Sequence, residues 1–124
     1  MKNKVTVLKL PKKFTIFRKN WARGDRDKPN LLLDKEGNMC CLGFAAESAG
    51  CSRKDLLNTA GPTGLLHREN IKITGLTYRG SNRSATQICI SLICTNDNSF
   101  LSDEERENRI TKLFKKLDVD VEFK

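Results

Sequence analysis

Cys40 and Cys41 stand side by side where a turn meets an apolar segment, in the run Leu31-Leu32-Leu33-Asp34-Lys35-Glu36-Gly37-Asn38-Met39-Cys40-Cys41-Leu42-Gly43-Phe44-Ala45-Ala46. A helix start presents unpaired N–H groups and the positive end of the helix dipole, which can lower a thiol pKa or hold an anion. A thiolate nucleophile also needs a base, and the single histidine, His67, lies in a Gly/Pro-flanked stretch before Ile71 that suits no such role. Zinc takes about four ligands, and Cys40, Cys41, Cys51 and His67 supply that count. Adjacent cysteines do not easily chelate one tetrahedral ion, however, no C-x-x-C occurs, and Cys89 and Cys94 are five apart. The cysteine count is odd and each thiol has apolar neighbours, so the expectation is reduced, core-packed cysteines with no catalytic residue, no metal and no cofactor.

Anion binding is the chemistry that the charges favour. The formal charge of +8 is concentrated: residues 1–30 carry ten Lys/Arg against Asp25 and Asp27, residues 31–100 seven against six acids, and residues 101–124 six against seven. In the first of these segments Lys9, Lys12, Lys13, Arg18, Lys19, Arg23, Arg26 and Lys28 lie near Phe14, Phe17 and Trp21, a mixture suited to phosphate and base contacts. The structural alternative makes the aromatics a core stripe and the lysines its solvated face. Arginines beside glycine on loops approach a phosphate bidentately without a bulky neighbour, which favours Arg23, Arg26, Arg79 and Arg83 over the lysines; ion pairs with Asp25, Asp27 or Asp34 are the alternative. The turn Gly37-Asn38-Met39 adds backbone N–H groups at the helix start. The expected ligand-binding set is therefore Arg23, Arg26, Lys28, Asn38, Arg79 and Arg83. No Gly-Lys-Ser/Thr or G-x-G-x-x-G marks a nucleotide-hydrolysing or dinucleotide fold.

These groups must be positioned by short elements. Val5 and Val7 alternate with polar residues as in a strand. Pro11 suits a helix's first turn, and Phe14, Phe17 and Trp21 at spacings of three and four predict a helix over 12–23 closed by Gly24. Leu31–Leu33 reads as a buried extended segment, Lys35–Asn38 as a turn, and Cys40–Ala49 as a closely packed helix stopped by Gly50. Ser52 caps a short helix through Leu57, residues 59–70 read as a loop with Leu65 and Leu66 tucked onto the core, and Ile71 and Ile73 mark a strand. Ser84–Cys94 fits both periods, with a Ser84-capped helix preferred. Ser102-Asp103-Glu104-Glu105 is a capping box for a helix with Ile110, Leu113, Phe114 and Leu117 on its apolar face, followed by the alternating strand Val119–Phe123.

A chain of 124 residues with 38% apolar content builds one compact domain, residues 1–124, without obligatory staples. The expected fold class is α+β, three to four helices packed with a short sheet that includes the N- and C-terminal strands, which would pair around Val5–Leu8 and Val119–Phe123. No apolar run approaches the roughly 20 residues of a membrane span, and the basic start lacks a signal-peptide core, so a cytoplasmic protein is expected.

Trp21-Ala22-Arg23-Gly24, then Leu32-Leu33-Asp34-Lys35-Glu36-Gly37-Asn38-Met39-Cys40-Cys41-Leu42-Gly43, then Asn96-Asp97 and Asp103-Glu104-Glu105-Arg106-Glu107 ending in Val121-Glu122-Phe123, together resemble a group of small, uncharacterised bacteriophage proteins. The resemblance implies a phage accessory protein in the cytoplasm of a bacterial host, of the kind that antagonises host defence. On that footing the expected function is non-catalytic: binding and sequestering an anionic nucleotide signal of host immunity, with homo-oligomer formation around the sites. The alternatives are a protein–protein inhibitor of a defence effector and a nucleic-acid binder; a cysteine-dependent enzyme ranks last.

Overall fold

Two strands near the N-terminus, each paired with a strand from much later in the chain, hold the fold together. The computed structural model describes residues 4–24, 30–76 and 83–124, with the side chains of 83–86 outside that description. Strand β1 (Thr6–Lys9) is followed by β2 (Lys13–Ile16) and a 3-10 turn (Arg18–Asn20); then come α1 (Cys41–Ser48), α2 (Arg53–Leu56), α3 (Pro62–Glu69), β3 (Ile71–Thr74), α4 (Arg83–Asp97), α5 (Asp103–Lys115) and β4 (Asp120–Phe123). The result is a small α+β domain with five α-helices among the described residues and short sheets that include the N- and C-terminal strands.

The terminal strands do not pair with each other. β1 runs parallel to β3 with Thr6 beside Ile71 and Leu8 beside Ile73, and β2 runs parallel to β4 with Lys13 beside Asp120 and Phe14 beside Val121. Side-chain chemistry explains the sorting. Ile71 and Ile73 bury their side chains beneath β1, whereas the acids of β4 lie in register with Lys13 and Thr15 of β2.

The helix expected over 12–23 is instead β2 and the 3-10 turn. The operative period is two: Phe14 and Ile16 are buried while Lys13 is exposed, and Phe17, which the helical stripe required inside, is 50% exposed. Thr15 and Ile16 are β-branched and favour the extended form. Trp21 does reach the core, where its ring lies 5.1 Å from that of Phe123, and Phe14 meets Phe114 edge-on at 5.0 Å.

The stretch 59–70, expected as a loop, contains α3. Pro62 occupies its first turn, where a missing N–H costs nothing, and Asn70 closes it in the left-handed conformation at φ 55°. Leu65 and Leu66 are buried as anticipated.

The small-residue helix α1 sits at the centre. A Cβ on Gly43 would lie 1.9 Å from the carbonyl oxygen of Leu32 and 2.9 Å from Cβ of Met39, so the helix backbone rests directly on the 31–39 segment. The capping box at Ser102 is formed, and α5 buries Ile110 and Phe114 against the same core.

Candidate anion-binding groove

The sequence-selected residues are placed as follows. Arg26, Lys28 and Arg79 lie outside the described residues, and Arg83 contributes the first backbone position of α4 with its side chain outside the description. Arg23 folds over the indole of Trp21, 4.5 Å from the ring centroid. Its Nε and Nη2 each donate to Asp103 at 2.9 Å, and Nη1 donates to the carbonyls of Trp21 (2.8 Å) and Arg18 (3.3 Å). That guanidinium is a strut between the Trp21 segment and the start of α5. The ion-pair alternative therefore operates at Arg23, with Asp103 in place of the acids named from sequence.

Asn38 is half-buried in a turn organised by Asp34, whose Oδ1 accepts from the amides of Glu36 and Asn38, both at 2.9 Å. The anion cradle expected there is not free. Gly37 N–H donates to Asp34 O, Met39 N–H to Asn20 O, Cys40 N–H to Leu31 O and Cys41 N–H to Asn96 Oδ1. Every amide from Gly37 to Cys41 is thus engaged inside the chain, and the reason is tertiary: segments 20–24 and 31–34 and helix α4 close over the helix start.

Asn96, 1% exposed, is the centre of that closure. Its Oδ1 accepts from Trp21 Nε1 at 2.7 Å and Cys41 N–H at 3.0 Å; its Nδ2 donates to Ala22 O and Asp97 Oδ1, both at 3.0 Å. Since an indole N–H only donates, the amide orientation is fixed, and all four of its hydrogen-bonding positions are filled.

The cysteines divide: Cys89 is half-buried and Cys94, expected in the core, is exposed at the outer side of α4. Cys40, Cys41 and Cys51 are buried, and no disulfide links the five. Burial pushes the Cys40 thiol up to about 12, opposed by nearby backbone amides, and raises Cys41 well above the ordinary thiol value. His67 lies on the exposed side of α3. Among the described residues no group of three or more His, Cys, Asp or Glu is arranged to hold a metal ion.

Helix α5 sorts its charges by face. Asp103 takes Arg23 and Arg106, and Glu107 takes Arg18 through two bonds of 2.7 and 2.8 Å. Arg106 is itself buried, its guanidinium donating also to the carbonyls of Asn98 and Leu101. On another face Arg109, Lys112 and Lys116, spaced three and four apart, form no ion pair within 4 Å among the described residues. They line a groove of about 310 Å³ between α4 and α5, with Ser91 and Thr95 opposite and Leu113 among the lining side chains. Glu105, one turn before Arg109, is held in the capping box by the Ser102 amide. The lining is three cations, two hydroxyls and one apolar side chain, with no carboxylate.

A larger groove of about 520 Å³ lies beside the Asp34 turn, but its lining of Asn30, Leu31, Asp34, Lys35, Glu36, Asn58 and Ala60 includes two carboxylates. It opposes an anion where the α4–α5 groove attracts one. The sequence does contain the signal for the latter in the R-x-x-K-x-x-x-K spacing of residues 109–116, where the cations also complement the helix C-terminus.

Among the described residues, no helix is long and apolar enough to cross a membrane. Comparison with protein-family models, curated proteins and solved structures gave no match.

Proposed function

We propose that this protein is a non-catalytic binder of an anionic, phosphate-bearing ligand of nucleotide class, held in the α4–α5 groove. The observation that carries the proposal is the triad Arg109, Lys112 and Lys116, which forms no ion pair within 4 Å among the described residues and faces Ser91 and Thr95 in a groove whose lining has no carboxylate. Arginine supplies a fork for one phosphate, the lysines act as point charges for a second, and the hydroxyls add neutral donors that fix orientation. Leu113 offers apolar contact to a base or ribose. In the phage setting that the motif resemblance implies, such a binder sequesters a nucleotide signal of host immunity.

The test is to incubate the purified protein with cyclic dinucleotides, wash, release bound material by heat and identify it by chromatography. Recovery of unchanged nucleotide from the wild type, and loss of capture in an Arg109→Glu, Lys112→Glu double variant of unchanged thermal stability, is the expected result. Chemical conversion of the nucleotide, or capture that survives the double variant, overturns the proposal.

A further inference from the structure

We infer that the open edge of β1 is a docking site for an extended protein segment in which acidic and apolar residues alternate. This does not rest on the α4–α5 groove. Among the described residues β1 pairs with β3 alone. The Thr6 amide donates toward that partner, to Asn70 O at 2.8 Å, so strand alternation turns the amides of Val5, Val7 and Lys9 toward the other edge. Val5 and Val7 are 40% and 62% exposed, and they share a face with Lys9 and, across the ladder, Lys72. A two-stranded parallel sheet with an uncovered apolar face is unusual, because parallel strands are ordinarily enclosed.

Charge selects the occupant. Residues 4–10 and 71–76 contain Lys4, Lys9 and Lys72 and no acid, and none of the three lysines forms an ion pair among the described residues. Edge lysines disfavour pairing with another basic strand, and a second copy of a chain of charge +8 would set like charges together. An acidic strand meets no such penalty. The molecule carries its own example: β4, with Asp120 and Glu122 alternating with Val121 and Phe123, pairs with β2, and Lys13 Nζ lies 3.9 Å from Glu122 Oε1. β1 repeats the basic and apolar character of β2 and, among the described residues, has no acidic partner strand.

The experiment is a titration of ¹⁵N-labelled full-length protein with a synthetic peptide of residues 117–124, LDVDVEFK, and with a control in which its acids are replaced by lysine. Saturable amide shifts on Val5–Lys9 and Lys72 with the acidic peptide alone are expected. Lys9→Glu with Lys72→Glu should weaken binding roughly tenfold, since the charge on the docking strand and on the strand behind it is reversed. Val7→Pro should abolish it while leaving the β3 amides in place, because that N–H faces outward. If Val7→Pro does not fold, the double charge reversal decides. Absence of saturable shifts on β1, equal binding of both peptides, shifts confined to β2 through exchange with β4, or self-association through β1 would each overturn the inference.

Discussion

The indole N–H of Trp21 and the side-chain oxygen of Asn96 form a buried 2.7 Å hydrogen bond across 75 residues of sequence. The same oxygen takes the first amide of α1, so one side chain from the end of α4 locks the N-terminal segment and the central helix together.

Replacing Asn96 with leucine keeps the volume but leaves the indole N–H, the Cys41 amide and the Ala22 carbonyl unsatisfied in the core. At about 1–3 kcal/mol for a buried orphan group, with partial relaxation, the expected loss is roughly 3 kcal/mol. Urea unfolding followed by tryptophan fluorescence measures it, and the midpoint should fall with little change in slope.

Two glycines separate steric from conformational constraint. Gly43→Ala drives a methyl into the Leu32 carbonyl and should cost at least about 3 kcal/mol or prevent folding. Gly37, at φ 87° with open space around its Cβ position, should lose only about 1 kcal/mol on the same change. Thermal melts of the two variants provide the comparison, and equal losses would contradict the close approach at Gly43.

Asp103 joins Arg23 to Arg106, and its hydrogen bond from Arg23, followed by the charges of both arginines, holds its carboxyl below the ordinary 3.8. A carboxylate with a depressed folded pKa contributes stability above its unfolded value and loses it as pH falls through the folded one. Stability should therefore decline below about pH 4, and Asp103→Asn should flatten that part of the profile. Because the carboxylate side chain is 54% exposed, the neutral-pH cost should be about 1 kcal/mol, seen in denaturant midpoints against pH.

Thiol reactivity gives a fourth check. Cys94 is exposed, whereas Cys40 and Cys41 are buried with raised pKa values, so a disulfide reagent at pH 8 should label Cys94 rapidly and the pair only after denaturation. For Cys40 the folded pKa of about 12 exceeds the ordinary 9.0, so its contribution is complete below pH 9 and is lost as pH rises toward 12. Rapid labelling of Cys40 in the folded protein would count against its core position.

The groove makes a salt prediction. Three cations releasing counterions from a single-stranded oligonucleotide give a slope of log affinity on log salt of about −2, and removing one should reduce it by about 0.7. Fluorescence anisotropy across salt concentrations measures both, and a slope unchanged in Lys112→Ala would place binding elsewhere.

Local signals were legible where they were self-contained. Ser102 with Glu105, Gly50 behind α1 and the alternation of Val119–Phe123 each announce an element within a few residues, and each is present. β2 is masked in the sequence because Phe14, Phe17 and Trp21 match a helical stripe, while the partner that stabilises the extended form, β4, lies more than a hundred residues away. The pairing of the N-terminal arginines is hidden from the sequence for the same reason. Net charge by segment pointed to the N-terminal quarter, yet Arg18 and Arg23 meet Glu107 and Asp103 only in the folded chain.

That exchange of charge between the ends of the chain carries a thermodynamic consequence. In the unfolded chain residues 1–30 form a strongly basic segment and residues 101–124 are slightly acidic, whereas folding couples Arg18 and Arg23 to α5 and leaves Arg109, Lys112 and Lys116 to face outward. A long polyanion therefore finds a basic partner in either state, and its stabilising effect is reduced by affinity for the unfolded chain. A small ligand sized to the groove has no equivalent there. Compared at equal occupancy of the native protein, a small nucleotide should raise the melting temperature more than an oligonucleotide that contacts the same three cations.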